Sequence, residues 1–332
     1  MILSRRFQIS LWVAVISWLL WMRIGLLGPK SAFYYVEQHW PITLTMMFGS
    51  MVAGATSEGG GAVAFPVFTK LLHVTPWDAK LFSLAIQSIG MAAASIVIML
   101  MRVKVEWWVI GWASLGGAAG MSVGATGLAP LLPPDVTKMT FTAMTSSFAV
   151  VLYILNRGEH CCHDQMPTNG KFERNLLIAL GFAGGILASV VGTGLDIVIF
   201  STLVLLFRVS EKVATPTSVI LMAINSIVGV VVYFVFLGQM NEVVFSYWMA
   251  AFPVVVIGAS LGAILCAYMS RLMIAKFLIG LISLELISSL LIIPLRTSVV
   301  WYSLLVTIMC LSLYFMMLRT QRYEMSSMSG PV

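Results

Sequence analysis

Charge is scarce in this chain. Only 10% of the 332 residues are Asp, Glu, Lys or Arg, against roughly 25% in an average soluble domain, which excludes an ordinary water-soluble fold. Four cysteines are too few for a disulfide framework, and Cys266 and Cys310 lie in apolar runs, where a thiol packs as a small hydrophobe. His39, His73, His160 and His163 fall at the ends of apolar runs or in loops. No histidine-based metal or general-base constellation is therefore expected at membrane depth, and an enzyme is disfavoured. No GxxxxGKS/T motif occurs, which argues against ATP-driven pumping. The 19 basic residues give a net charge of +6, yet they stand singly or in pairs at the ends of apolar blocks and form no basic stripe. Nucleic acid is excluded as a partner, and no cofactor or metal is expected.

What fills the chain is apolar. Hydrophobic residues make up 60% of it, in blocks long enough to cross a bilayer at about 20 residues per helix. The composition is that of an all-α polytopic membrane protein. The first block, Phe7 to Leu27, follows Arg5 and Arg6 but is too long and Trp-rich for a signal peptide and lacks a small-residue cleavage site. It reads as a retained span. Eight ordinary spans are expected, at 7–27, 79–101, 107–132, 135–155, 213–237, 243–268, 271–293 and 299–318.

Two further segments, 43–72 and 177–207, are each too long for one untilted span and are broken near the middle by "SEGGG" and "VGTGLD". Either a broken helix or a re-entrant pair of half-helices fits such a pattern. A slide of 135 residues superimposes the two: Gly49 meets Gly184, Gly59 meets Gly194, Val74 meets Val209, and Ser83 meets Ser218. Cytoplasmic loops are enriched in Lys and Arg. If both segments cross fully, those residues divide 11 to 8 between the two sides; if both are hairpins, 13 to 6, with both termini inside. Hairpins fit better. Three spans then separate them, so the second repeat is inverted relative to the first, a recurrent plan of secondary transporters whose interrupted helices mark the binding site.

Such a break exposes backbone amides at the start of its second half-helix, where the helix dipole favours an anion. The candidate substrate-binding residues are Thr56, Ser57, Gly59, Gly60 and Gly61 in the first break, Gly192, Thr193 and Gly194 in the second, and Gln87 and Asn225 on the following helices. No side-chain cation is expected at either break. Glu58 and Asp196 are the candidates for proton coupling, since a carboxyl at this depth is commonly a relay or coupling-ion site. Each could instead simply cap its own half-helix. Gln87 and Asn225 could equally be interhelical hydrogen-bonding groups. Glu285, alone in "ISLELISS", has three open readings: a relay, the partner of a basic residue, or an interface residue. The cluster His160, Cys161, Cys162, His163 and Asp164 is poorly spaced for one ion and reads as part of a cytoplasmic linker. The small residues of Gly111–Gly127, and Gly258 with Gly262, read as close helix packing.

The stretches "GATSEGGGAVAFPVFTKLLHV" and "GGILASVVGTGLDIVIFSTLVLLFRVSEKVATPTSV" together resemble the TauE/SafE sulfite exporter family, from residue 43 to about 290. The resemblance implies transport of sulfite, sulfonates or related small anions. The second repeat lacks a long glycine run and a counterpart of Pro66. The expected organisation is an N-terminal span and loop (1–42), a first repeat (43–155), a cytoplasmic linker (156–175), a second repeat (176–293), and a last span with the C-terminal tail (294–332). The function expected is proton-coupled secondary transport of a small anion between the two broken helices, in the plasma or inner membrane. The partners expected are that anion, a proton or other coupling ion, and membrane lipid, and a homodimer is compatible with the sequence. An uncoupled anion channel is the alternative, and an intramembrane enzyme ranks third.

Overall fold

The computed structural model describes residues 2–27, 32–56, 67–68, 72, 74–156, 163, 165–166, 170–292 and 297–328. These form a helical bundle. In chain order the helices are α1 (Ile2–Leu27), α2 (Ala32–Gln38), α3 (Trp40–Ala55), α4 (Pro76–Leu100), α5 (Trp107–Val123), α6 (Pro134–Asn156), α7 (Lys171–Val191), α8 (Leu195–Ser201), α9 (Glu211–Val230), α10 (Glu242–Tyr268), α11 (Arg271–Ile292) and α12 (Thr297–Met328). Wider π-type turns extend α5 over Gly124–Leu128, α8 over Thr202–Leu206 and α9 over Val231–Phe236.

Among the described residues, six helical stretches are long and apolar enough to cross a membrane: Trp77–Leu100, Lys171–Val191, Glu211–Phe236, Glu242–Tyr268, Leu272–Leu291 and Val299–Met317. The protein is an integral, multi-pass membrane protein. Five of the eight expected spans are among these six. Ser10–Gly25 and Lys138–Ile154 are shorter apolar helices, and α5, rich in Gly, Ala and Trp, is not among the six. The sixth, α7, belongs to a glycine-broken segment that the sequence was expected to divide into half-helices.

Start signals explain several boundaries. Thr75 caps α4 by accepting from the Asp78 amide at 3.2 Å, with Pro76 in the first turn. Asn241 caps α10 by accepting from the Val244 amide at 2.7 Å. Pro253 lies inside α10, and a proline inside a helix withholds a hydrogen bond from the carbonyl four residues earlier. That carbonyl, Met249, accepts from the Trp21 indole at 2.9 Å, while Trp18 donates to the Pro253 carbonyl at 2.8 Å. The first apolar block is thus built into the bundle through its tryptophans.

The closest helix pairs are made by glycine. On α5 and α7, a Cβ added at Gly116, Gly120, Gly181 or Gly185 would collide with the facing backbone of Ile178, Phe182, Ala113 or Gly117. On α3 and α10, Gly54 meets Ala259 and Gly262 meets Met51 in the same way. The small residues of both regions therefore let backbones touch, as expected, although Gly111 and Gly127 face open space.

The elements recur at the 135-residue offset. α3, α4, α5 and α6 fall on α7, α9, α10 and α11. Leu72 donates to Val67 and Val74 to Phe68, as Phe207 donates to Thr202 and Val209 to Leu203. One end of the bundle gathers His39 against Tyr247, with ring centroids 5.0 Å apart, and Asn241 donating to Asp78 at 2.8 Å. At the other, the Glu106 amide donates to Thr217 at 3.0 Å and the Glu106 carboxylate accepts from the Met166 amide at 3.0 Å. His163 pairs there with Arg208 and Ser210, and Arg174, in the first turn of α7, lies 5.4 Å over the Trp112 ring.

Candidate functional site

The second break lies where the sequence puts it. α7 ends at Val191, Gly192 takes a left-handed conformation (φ 93°), Gly194 has φ 147°, and α8 starts at Leu195. Both φ values are costly for any residue with a Cβ. The chain then folds back on itself: a Cβ on Gly184 would lie 2.8 Å from the Leu195 Cα, eleven residues further on. The opening of α8 is occupied. The Asp196 carboxylate accepts from the Gly194 amide at 2.8 Å and from the Thr193 hydroxyl at 3.1 Å to each oxygen, and both side chains are buried. This is a capping arrangement, in which the protein's own carboxylate takes the place expected for a substrate anion. A Cβ on Gly194 would meet Leu187 at 3.0 Å, inside the fold, so a side chain there would press on α7 rather than fill an anion seat.

Gly192 sits on α4, against the Lys80 carbonyl and Ser83. From Ser83 a polar chain crosses the core: Gln87 donates to the Ser83 hydroxyl at 2.7 Å and accepts from Ser226 at 3.1 Å. Gln87 and Asn225 thus lie in one buried region, linked through the residue after Asn225. The Asn225 side-chain carbonyl is buried and has no hydrogen-bond partner among the described residues, a state that costs about 1–3 kcal/mol. A cavity of about 20 Å³ adjoins Gln87, bounded by Met46, Ser50, Ala53, Phe68 and Ser83 among others. It has room for one water, and a sulfite-sized anion would require it to widen.

Of the first break, Thr56 is described: it is buried, and its hydroxyl donates to the Val52 carbonyl at 3.0 Å. Ser57, Glu58, Gly59, Gly60 and Gly61 lie outside the described residues, as do His160, Cys161, Cys162 and Asp164. Close to Thr56, a pocket of about 330 Å³ reaches Gly54 at the end of α3. Its wall carries Arg102, Lys104 and Lys212, all exposed. Sequence reasoning counted these cations as topology signals and missed that the helix ends gather them around one pocket.

Neither break carries a side-chain cation of its own, but Lys80, on α4, reaches the last turn of α7 through Tyr233. It lies one turn inside α4, 2% exposed, with its ammonium 3.5 Å above the Trp77 ring and 3.2 Å from the Tyr233 hydroxyl. That hydroxyl in turn donates to the Ser189 carbonyl in the last turn of α7 at 2.6 Å. Its start signal, Thr75-Pro76, would have placed Lys80 inside the helix rather than in a loop. Glu285 lies elsewhere, between α6 and α11, where it accepts from Thr142 at 2.7 Å and from Ser289 at 2.9 Å. The bond to Thr142 ties α11 to α6.

The family described as sulfite exporter TauE/SafE matches residues 42–289, about three quarters of the chain. No curated protein and no solved structure matches it.

Proposed function

The chain belongs to the TauE/SafE sulfite exporter family, a family of membrane transporters, and from that premise we propose that it is a proton-coupled secondary transporter of a small anion such as sulfite or a sulfonate. The observation that carries the proposal is the buried, left-handed break at Gly192–Gly194. Irregular backbone inside a membrane is tolerated where protein or a water-filled cavity surrounds it, and interrupted helices mark the substrate site in transporters.

The hairpin reading draws support from the contacts of the second broken segment. Arg174 and Val209 stand at its two ends, and both lie at the end of the bundle that holds Glu106 and His163. α7 is long enough to cross alone, but the chain after α8 returns to the side from which α7 sets out. The first broken segment, 43–72, is flanked by His39 and Asp78, both at the opposite end. With α4, α5 and α6 between them, the two hairpins enter from opposite faces as an inverted pair. The swapped packing of α3 on α10 and α5 on α7 is what such a pair requires. In this arrangement α1, α4, α5, α6, α9, α10, α11 and α12 are the eight full spans.

Gly192, Thr193, Gly194, Gln87, Asn225 and Thr56 border the proposed anion path, with Ser57, Gly59, Gly60 and Gly61 completing it from the first break. Asp196 and Glu58 hold the coupling proton. The pocket of Arg102, Lys104 and Lys212 lies on the basic, cytoplasmic side and raises the local concentration of an anion at its mouth. The test is flux into proteoliposomes of sulfite, sulfate, sulfonates and small carboxylates, with and without a pH gradient. Accumulation driven by the gradient is expected. Downhill flux alone would make the protein a channel, and no flux of any anion would overturn the proposal.

A further inference from the structure

The 135-residue offset relates the two ends of the bundle, and at those ends the same positions are in opposite states. Gly54, Ile98, Lys212 and Thr215 line the open pocket of about 330 Å³. Their counterparts are Ser189, Tyr233, Trp77 and Lys80, and these four touch one another. The Lys80 ammonium sits 3.5 Å above the Trp77 ring and 4.6 Å from the Tyr233 ring centroid. The two rings meet edge to face at 6.3 Å, and the Tyr233 hydroxyl closes on the Ser189 carbonyl at 2.6 Å. Where one end has space, the other has a plug of three large side chains against the second break.

We propose that this cluster is a second anion-binding pocket in its closed state, with the Lys80 ammonium as the group that receives a small oxyanion when Trp77 and Tyr233 separate. The inference rests on the transporter reading above. An ammonium carries three donors, and among the described residues one is taken, by Tyr233. The others face aromatic surfaces, which stabilise the charge without accepting a full hydrogen bond. Among the described residues no carboxylate pairs with Lys80 and its side-chain nitrogen keeps donor capacity in reserve, while through Tyr233 it reaches the Ser189 carbonyl, three residues before Gly192. A small oxyanion would supply the opposite charge and the further acceptors that the described residues around Lys80 do not. In the closed state the ammonium also faces, through Tyr233, the carbonyl end of α7, where a cation is favoured, so closure keeps the charge stabilised while the pocket is empty.

The test compares the wild-type protein with Lys80→Met, Lys80→Arg and Trp77→Phe. Uptake of sulfite and of a sulfonate into proteoliposomes is measured alongside tryptophan emission in detergent during titration with sulfite. The expected result is a KM at least tenfold higher for Lys80→Met, partial recovery in Lys80→Arg, and an anion-dependent emission change that Trp77→Phe removes. Wild-type KM in a folded Lys80→Met variant would overturn the inference and leave the transporter reading standing. If Lys80→Met does not fold, an emission response identical in wild type and Trp77→Phe overturns it instead. Failure of the wild-type protein to move any anion overturns both.

Discussion

Gly192→Ala offers the most direct measure of how the second break is built. The left-handed backbone, φ 93°, costs about 1–2 kcal/mol for a residue with a Cβ. The added methyl group would stand 3.1 Å from the Lys80 carbonyl oxygen and 3.1 Å from the Ser83 Cβ, and forcing a methyl into a packed site costs about 1–3 kcal/mol. The sum is about 2–5 kcal/mol, which lowers the melting temperature by on the order of 5–15 °C. The matched control is Gly111→Ala. Gly111 lies inside α5 with nothing within 4 Å of a Cβ, and Gly to Ala in a helix interior gains about 0.5–1 kcal/mol. Melting followed by intrinsic fluorescence in detergent should therefore shift down for the first variant and stay level or rise for the second. A Gly192→Ala protein that melts and transports like wild type would refute the left-handed reversal.

Cysteines introduced singly at Thr75 and Gln165, both exposed, should label from opposite sides of the membrane, Thr75 from outside and Gln165 from inside. Labelling of both from one side would remove the hairpin topology. Arg102→Glu and Lys212→Glu, each on the wall of the basic pocket, should lower anion uptake several-fold at low salt and less at high salt, because exposed charges are screened over about 8–10 Å at physiological ionic strength. Uptake rates in both variants that equal wild type across a salt series would exclude the pocket from the anion's path.

Much of this organisation was legible because glycine acts through the backbone. "VGTGLD" cannot continue a helix cheaply, and Gly192 and Gly194 take up φ values that other residues avoid. The 135-residue offset was legible for the same reason, through matched glycines. What remained hidden depended on which helices meet. Trp21 answers the carbonyl freed by Pro253, more than 200 residues away, and no local pattern announces that pairing. Ser226 joins Gln87 across 139 residues. The start of α7 was also missed, since "KFERN" is polar and reads as a loop, yet those residues form its first turns at the end of the bundle. Lys80 was hidden by its charge, because a lone lysine beside an apolar block reads as a topology signal until Trp77 and Tyr233 are seen around it.

Asp196 brings the two halves of the proposed mechanism onto the same atoms. Its carboxylate holds the Gly194 amide and the Thr193 hydroxyl, the donors that an arriving anion would use at the start of α8. In the proposed mechanism a charged Asp196 would compete with the substrate for one seat and a proton on it would release the seat, so that coupling would follow from competition. Asp196→Asn separates this from capping alone. The amide oxygen of Asn can still accept from Gly194 and its nitrogen can face Thr193, so the break keeps its shape and the protein should fold. If Asp196 carries the coupling proton, the variant should exchange anion across the membrane but no longer accumulate it in response to a pH gradient, because exchange returns a loaded carrier and needs no proton release. If the carboxylate serves only as a cap, gradient-driven uptake should persist within about twofold of wild type. Persistence would remove Asp196 from the coupling step and leave Glu58, in the first break, to carry the proton alone.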